Sequence, residues 1–301
     1  MSESLKKPRL IILANRSKQS VNEAMVSFRP WLDQRADIVA EPDIANLHVD
    51  QLPKADLAVV LGGDGTILSL ARQLISLEIP MLGINFGKLG FMADFSIEDV
   101  KRHWSLIVSG QCRTTRRVMI EAAIFDASIP WYVGDPLPEK IDFQTVALND
   151  LVLTAGPPYR MIDIQLLIDP QRHNGGQPTT ISGDGLIFST PSGSTAYNMA
   201  AGGPIISPEV DGFCFTPMCP HSLAFRPLII PGTSSTLIRL TAANEGTTLV
   251  IDGQIPIKMT TEMQLLMRRH PIALRLVQNP ELSYLKLLAR KLHWAARPRT
   301  W

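Results

Sequence analysis

Gly62-Gly63-Asp64-Gly65-Thr66 stands between an apolar run that ends at Leu61 and a periodic apolar run, Ile67 to Ile75. Consecutive glycines let the backbone take positive φ and bring N–H groups close to an anion, and the start of a following helix adds partial positive charge. An aspartate among such amides would repel a phosphate unless it has another task. Two tasks fit Asp64: holding Mg²⁺, or accepting the proton of a hydroxyl as that hydroxyl is phosphorylated. No Gly-Lys-Ser/Thr follows, so this is not a P-loop, and the GxGxxG dinucleotide fingerprint is absent. Alone, the segment reads equally well as a tight turn. A second group lies further on. Ser192, Gly193, Ser194 and Thr195 offer hydroxyls and amides of the kind a pyrophosphate needs, and Tyr197 offers a flat face with a polar tip. Asn149 can donate and accept together, as the edge of an adenine requires, while Asp150 and Asp184 can accept from ribose hydroxyls or an amide. The plainer alternative is a run of turns beside a core tyrosine.

The elements that must position these residues change character along the chain. Over the first hundred residues, strand candidates at Arg9–Asn15, Ile38–Ala40, Asp56–Leu61 and Pro80–Asn85 alternate with helical patterns at Asn22–Asp33, helical up to Pro30, and Ile67–Ile75. Strand, glycine turn, helix, strand is the pattern of a parallel α/β sheet. From about Arg116 short apolar runs separated by turns take over: Val118–Phe125, Ala147–Thr154, Ile162–Ile168, Leu186–Ser189, Leu228–Ile230, Thr236–Leu240, Thr248–Ile251 and Ile272–Val277. They predict a β-rich, sandwich-like second domain. Turns are expected at Pro157-Pro158, Asp169-Pro170 and Asn174-Gly175-Gly176, and Asp126–Thr145 reads as a surface excursion.

The 301 residues carry 29 Lys+Arg against 28 Asp+Glu, so a protein built to coat nucleic acid is not indicated. No segment approaches the length of a membrane span. Cys112, Cys214 and Cys219 have no metal-like spacing and suit a reducing compartment, the cytoplasm by default. The one charge-skewed region is Arg268–Arg299, with eight Lys/Arg and one acid, Glu281. There a helix over Glu281–Ala296 is expected, with Leu285, Leu288 and Leu292 on one face and Lys286, Arg290 and His293 on another. It reads as a docked amphipathic helix with a solvated face rather than as a patch for nucleic acid or an anionic surface. His221 reads either as a pocket residue or as a histidine in a turn.

Gly62–Thr66 resembles the GGDGT turn shared by NAD kinases, diacylglycerol kinases and sphingoid-base kinases, and further segments resemble NAD kinases in particular. These are Gly83-Ile84-Asn85-Phe86-Gly87-Lys88-Leu89-Gly90-Phe91, Asn149-Asp150, the long string from Gly183 to Tyr197, Gly202-Gly203-Pro204-Ile205, Cys219-Pro220-His221-Ser222-Leu223 and Asp252-Gly253-Gln254. They follow in the family's order from Gly62 to Gln254.

The resemblance implies an α/β nucleotide-binding domain over residues 1–115, a β-rich NAD-binding domain over 116–270, and a segment 271–301 returning to the first, with the active site between the domains. It implies phosphorylation of the 2′-hydroxyl of NAD's adenosine ribose by ATP, with Mg²⁺ or another divalent metal carried on the ATP and no separate metal site. Asp64 would be the catalytic base, acting late because an aspartate is a weak base for an alcohol. Gly65 would lie beside it, and Asn149, Asp150, Arg160, Asp184, Thr195, Ala196, Tyr197, Asn198, Met199, Ala200 and Gln254 would contact NAD. A homodimer or homotetramer is implied, with no nucleic-acid or membrane partner. Three departures bear on the contacts. Asp150 is shorter than the commoner Glu, Ser182 stands where Arg or Lys is frequent, and Asn198-Met199-Ala200 replaces Ser-Leu-Ser. Two rival readings share fewer of these features: a lipid kinase with only GGDGT in common, and a non-catalytic NAD(P)-binding regulator.

Overall fold

The computed structural model describes residues 7–87, 90–172 and 177–294. The turn at Asn174-Gly175-Gly176, Lys88-Leu89 of the second glycine segment and the last residues of the expected C-terminal helix, Ala295-Ala296, lie outside them. Contacts divide the chain into two compact units: one runs up to Arg116 and resumes at Leu274, and the other is Arg117–Ala273.

Along the chain come β1 (Arg9–Ala14), α1 (Gln19–Asp33), β2 (Asp37–Ala40), β3 (Leu57–Gly62), α2 (Asp64–Leu74), β4 (Met81–Asn85), α3 (Ile97–Val108) and β5 (Thr114–Arg117). The strands β6 (Ile120–Asp126), β7 (Phe143–Ala147), β8 (Asp150–Thr154), β9 (Ile162–Ile168), β10 (Thr179–Gly183) and β11 (Gly185–Ser189) follow, then the single turn α4 (Tyr197–Ala200). After it come β12 (Gly212–Met218), β13 (Leu228–Pro231), β14 (Thr236–Ala242), β15 (Thr248–Ile251), β16 (Ile255–Lys258) and β17 (Met263–Arg269). The chain closes with β18 (Leu274–Val277) and α5 (Tyr284–Leu292).

The first unit is the expected α/β layer. Its sheet has the order β2-β1-β3-β4-β18-β5, and the pairs from β2 through β18 are parallel. β3 is buried at every residue, which is why it reads as a continuous apolar run. Val21, Met25, Phe28 and Leu32 of α1 recur at helical spacing and are buried with Leu10, Ile12 and Val59. α1 continues through Pro30 to Asp33 rather than stopping at the proline. Pro30 lies on the exposed face, where solvent can take the unclaimed carbonyl of Val26, and buried Phe28 and Leu32 anchor the last turn. α3 falls where no helix is expected, although Ser96 and Asp99 form a capping box at its start. α5 also differs from expectation. Leu288 is buried and Leu292 half-buried as expected, but Leu285 is 60% exposed, and Tyr284, Leu287 and Lys291 join the packed side.

In the second unit two antiparallel six-stranded sheets, β10-β9-β14-β17-β6-β7 and β13-β12-β11-β8-β15-β16, share one core. Ile120, Ile124, Ile164 and Leu265 from one meet Leu151, Phe188, Phe213 and Ile251 from the other. The run expected as one strand over Ala147–Thr154 is two strands in different sheets. The chain changes sheets at Leu148-Asn149, so Asn149 falls at the crossing. The excursion after β6 carries Trp131, only 3% exposed, onto the outer face of the first of these sheets against Phe125, Leu237 and Leu266. Among the described residues no helix is long and apolar enough to cross a membrane.

Candidate functional site

In the first unit the site grows from the carboxyl ends of β1, β3 and β4. Gly62 closes β3, Gly63 precedes α2, and Asp64 is its first residue. The glycines serve a purpose other than positive φ. Gly63 has φ −109°, and a Cβ on Gly62 would lie 2.5 Å from the Thr66 hydroxyl, so Gly62 is set by close packing. The Asp64 carboxylate faces the chain after β4: Oδ2 accepts the N–H of Phe91 at 2.8 Å, and Oδ1 accepts those of Met92 and Ala93 at 3.1 and 3.0 Å. Gly90 makes room, since a Cβ there would be 1.9 Å from Oδ1. Lys291 of α5 places its Nζ 3.7 Å from Oδ2 and over the ring of Phe91, 4.3 Å from the centroid.

Beside this turn, a cavity of about 390 Å³ is lined by Asn15, Arg16, Ser17, Gly65, Thr66 and Ser69, among others. From β1 the chain goes to β2 on one side, while β3 lies on the other, so the cavity sits at a topological switch point, where open α/β sheets bind ligands. Asn15 fixes its floor: its Nδ2 donates to the Thr66 hydroxyl and its Oδ1 accepts from Ser17. Asn15 and Lys291 were not among the expected site residues. The end of β1 beside the glycine turn was a usable signal for Asn15, whereas Lys291 was hidden by the misplaced face of α5. A further cavity of about 610 Å³ lies along β4, α3 and α5. It mixes Lys286 and Arg290 with Asp99 and Glu281, and so selects no single charge class.

In the second unit a cavity of about 290 Å³ brings together Asn149, Asp150, Ala196 and Tyr197 with Thr154, Asp252 and Gly253. Asp252, at φ +49° in the turn after β15, organises it. Its carboxylate accepts the backbone N–H groups of Leu148 at 3.1 Å, Asn149 at 2.7 Å and Asp150 at 3.1 Å. Among the described residues the buried Asn149 side-chain oxygen has no hydrogen-bond partner. Gly193 lets the next segment close over it, since a Cβ would meet the Asn149 carbonyl at 2.1 Å. Asp150 is 4% exposed; burial first, and then the Asp252 carboxylate, push its carboxyl up to about 7. Tyr197 is 47% exposed and supplies one wall.

The other expected contacts do not line this cavity. Asn198 is fully buried: its Nδ2 donates to the carbonyls of Ser194 and Pro204 and its Oδ1 accepts from Thr216, so its side chain holds the fold. Ser194 is likewise internal, bonded to Pro191 and Ile206, and is not the accessible phosphate donor its sequence context implied. Thr195, Met199 and Ala200 flank Tyr197 outside the lining. Arg160 is exposed in the loop after β8, where its carbonyl accepts from Asn244. Asp184 is exposed between β10 and β11, hydrogen-bonded to the Cys219 thiol. Gln254 is exposed one residue past the lining. Ser182 donates to Asp163 on β9, and the exposed His221 anchors its turn through its backbone N–H to the Ser182 carbonyl. In the Asp252-Gly253-Gln254 block, the working residue is Asp252. An Asp-Gly pair between two apolar runs was its sequence signal.

Two family models match the chain: the ATP-NAD kinase N-terminal domain over residues 10–112 and the ATP-NAD kinase C-terminal domain over residues 148–278. An NAD kinase of Rhodopirellula baltica is 32% identical over 290 residues, covering 96% of this chain and 88% of that protein. One of an Azoarcus species is 38% identical over 272 residues, covering 89% and 87%. Among solved structures, yeast NADH kinase complexed with NADH superposes with a TM-score of 0.80 at 24% identity, covering 99% of this chain and 91% of that one. An Archaeoglobus fulgidus NAD kinase in complex with ATP gives 0.66 at 22% identity, covering 91% and 94%. At these identities the two structures establish the fold.

Proposed function

The chain belongs to the NAD kinase family, and from that premise we propose that it transfers the γ-phosphoryl group of ATP to the 2′-hydroxyl of NAD's adenosine ribose. The γ-phosphorus–oxygen bond of ATP breaks to leave ADP, a bond forms from O2′ to phosphorus, and the hydroxyl proton passes to Asp64. The observation that carries this reading is the Asp64 carboxylate, held by three backbone amides at the carboxyl end of a parallel sheet beside a switch-point cavity. A carboxylate has about four acceptor sites. Among the described residues, both sites of Oδ1 and one of Oδ2 are taken, which leaves one site on Oδ2 for a hydroxyl. The lipid-kinase and regulator readings are not favoured, because both halves of the chain match NAD kinases.

In this reading the first unit, with Gly65 at the rim of its cavity, takes ATP, and the second takes NAD. Asn149 pairs with the adenine edge, Tyr197 gives the ring a flat face, and Asp150 accepts from a ribose hydroxyl. Arg160, Asp184, Thr195, Met199, Ala200 and Gln254 are outer contacts, and Asn198 contributes only backbone. Among the described residues no three His, Cys, Asp or Glu cluster to hold a metal. Mg²⁺ carried on the phosphates of ATP would supply charge neutralisation during transfer. Free Cys112, Cys214 and Cys219 support a cytoplasmic setting. Exposed Leu228 and Ile229 on the edge strand β13 support a homo-oligomer of two or four copies.

The test is NADP formation from Mg-ATP and NAD, read by an NADP-specific dehydrogenase, beside Asp64→Asn. The variant is expected to lose about 10³-fold in turnover while still binding NAD and melting as a folded protein. No NADP from the wild type, with NAD bound, overturns the reading.

A further inference from the structure

We propose that Lys291 is a further catalytic residue, whose ammonium neutralises the phosphoryl group as it reaches the acceptor oxygen and then holds the 2′-phosphate of the product. The inference rests on the assignment of Asp64 as acceptor of the hydroxyl proton. Three observations lead to it.

The first is placement. Lys291 lies on the packed stripe of α5 with Tyr284, Leu287 and Leu288, although a lysine normally takes the solvated face. Its side chain is 26% exposed, and Tyr284 on the same stripe packs near the ring of Phe91. The second is its anchorage. The ammonium rests over the face of Phe91 while the Phe91 N–H binds Asp64 Oδ2, so one residue holds both the cation and the carboxylate. The third is the gap. At 3.7 Å, Lys291 Nζ and Asp64 Oδ2 attract each other without making a hydrogen bond, and among the described residues Oδ2 accepts only one N–H, from Phe91. An oxygen hydrogen-bonded to Oδ2 would lie within about 6 Å of Nζ, a distance that small rotations of a four-carbon stem can close.

The chemistry then explains why a cation belongs there. Asp64 repels the incoming phosphoryl group, and a lysine beside it lowers that cost at the moment charge gathers on the transferring oxygens. The bound NAD hydroxyl is neutral, whereas NADP carries a phosphate at the same position. Lys291 should therefore distinguish product from substrate.

The experiment measures kcat, and titrates NAD and NADP separately without ATP, for wild type, Lys291→Met and Lys291→Arg. Lys291→Met keeps the stem over Phe91 and removes only the charge. Expected are a fall in kcat of order 10²-fold, an NAD affinity within about twofold of wild type, and NADP affinity weakened about tenfold. Lys291→Arg should recover most of the NADP affinity. A Lys291→Met protein with unchanged kcat and an unchanged ratio of the two affinities overturns the proposal, as does an equal loss of both affinities, which marks a packing role. Should the Met variant melt well below wild type, Lys291→Gln is read against the same outcomes. A wild type that makes no NADP instead overturns the function itself.

Discussion

Asp64 in the first unit and Asp252 in the second are handled almost alike. Each carboxylate accepts the N–H groups of three consecutive residues far away in sequence, 91 to 93 for one and 148 to 150 for the other. What differs is the neighbour. Asp64 is faced by the ammonium of Lys291, and Asp252 by a second carboxyl, Asp150. The same clamp thus yields a partly exposed anion with a compensating cation, suited to work among phosphates, and a buried anion that adds to burial in driving its neighbour toward the neutral form. Amide clamps set where a carboxylate sits; the fourth partner sets what it can do.

Removing the second clamp gives the largest effect on the fold. Asp252→Ala leaves three amides at the sheet crossing without their acceptor and should cost about 3–5 kcal/mol in denaturant unfolding, with loss of NAD binding. A variant as stable as wild type would break the parallel between the two aspartates. The next test concerns charge. Because the folded state raises Asp150 to about 7 from 3.8, it binds more protons there than the unfolded chain. Its contribution to stability is therefore favourable at low pH and is lost as pH rises toward 7. Between pH 5 and 7 wild type should lose about 2–3 kcal/mol relative to Asp150→Asn; parallel stability curves would show that neither burial nor the Asp252 carboxylate raises Asp150. The smallest effect on stability belongs to Gly90→Ala. The new methyl displaces the Asp64 carboxylate, at about 1 kcal/mol in stability, yet turnover should fall roughly tenfold or more because the open site on Oδ2 moves. Unchanged turnover would mean that the first clamp does not set the geometry of transfer.

Much of this was legible in the chain. The glycines around Asp64 follow a buried strand and precede a helix, and Asn149-Asp150 and Tyr197 stand in strings long enough to recognise. What sequence could not show was partnership across distance. Nothing near Asp252 marks it as the acceptor for residues a hundred positions earlier, and nothing near Gly90 says that a carboxylate fills the space of its absent side chain. Local pattern also misled. Asn198 sits in the string of expected contacts but is taken up by Ser194, Pro204 and Thr216. The leucines of α5 suggested a stripe through Leu285, Leu288 and Leu292, whereas Leu285 is exposed and Tyr284 and Lys291, one amphipathic and one charged, join the packed face. Ala147–Thr154 reads as one strand because apolar residues flank Asn149-Asp150 on both sides, so this polar pair at the change of sheet passes for part of a single run.

The position of β18 carries a consequence for how the chain is made. It lies between β4 and β5, with its Leu276 carbonyl accepting from the Thr115 hydroxyl, and the Arg113 carbonyl accepts the N–H of Gln278 just beyond it. The sheet of the first unit therefore stays open until residue 277 leaves the ribosome, and β5 has no place in it before then. A nascent chain would carry a finished second unit while its first still lacked an inner strand, so the portion made first is completed last.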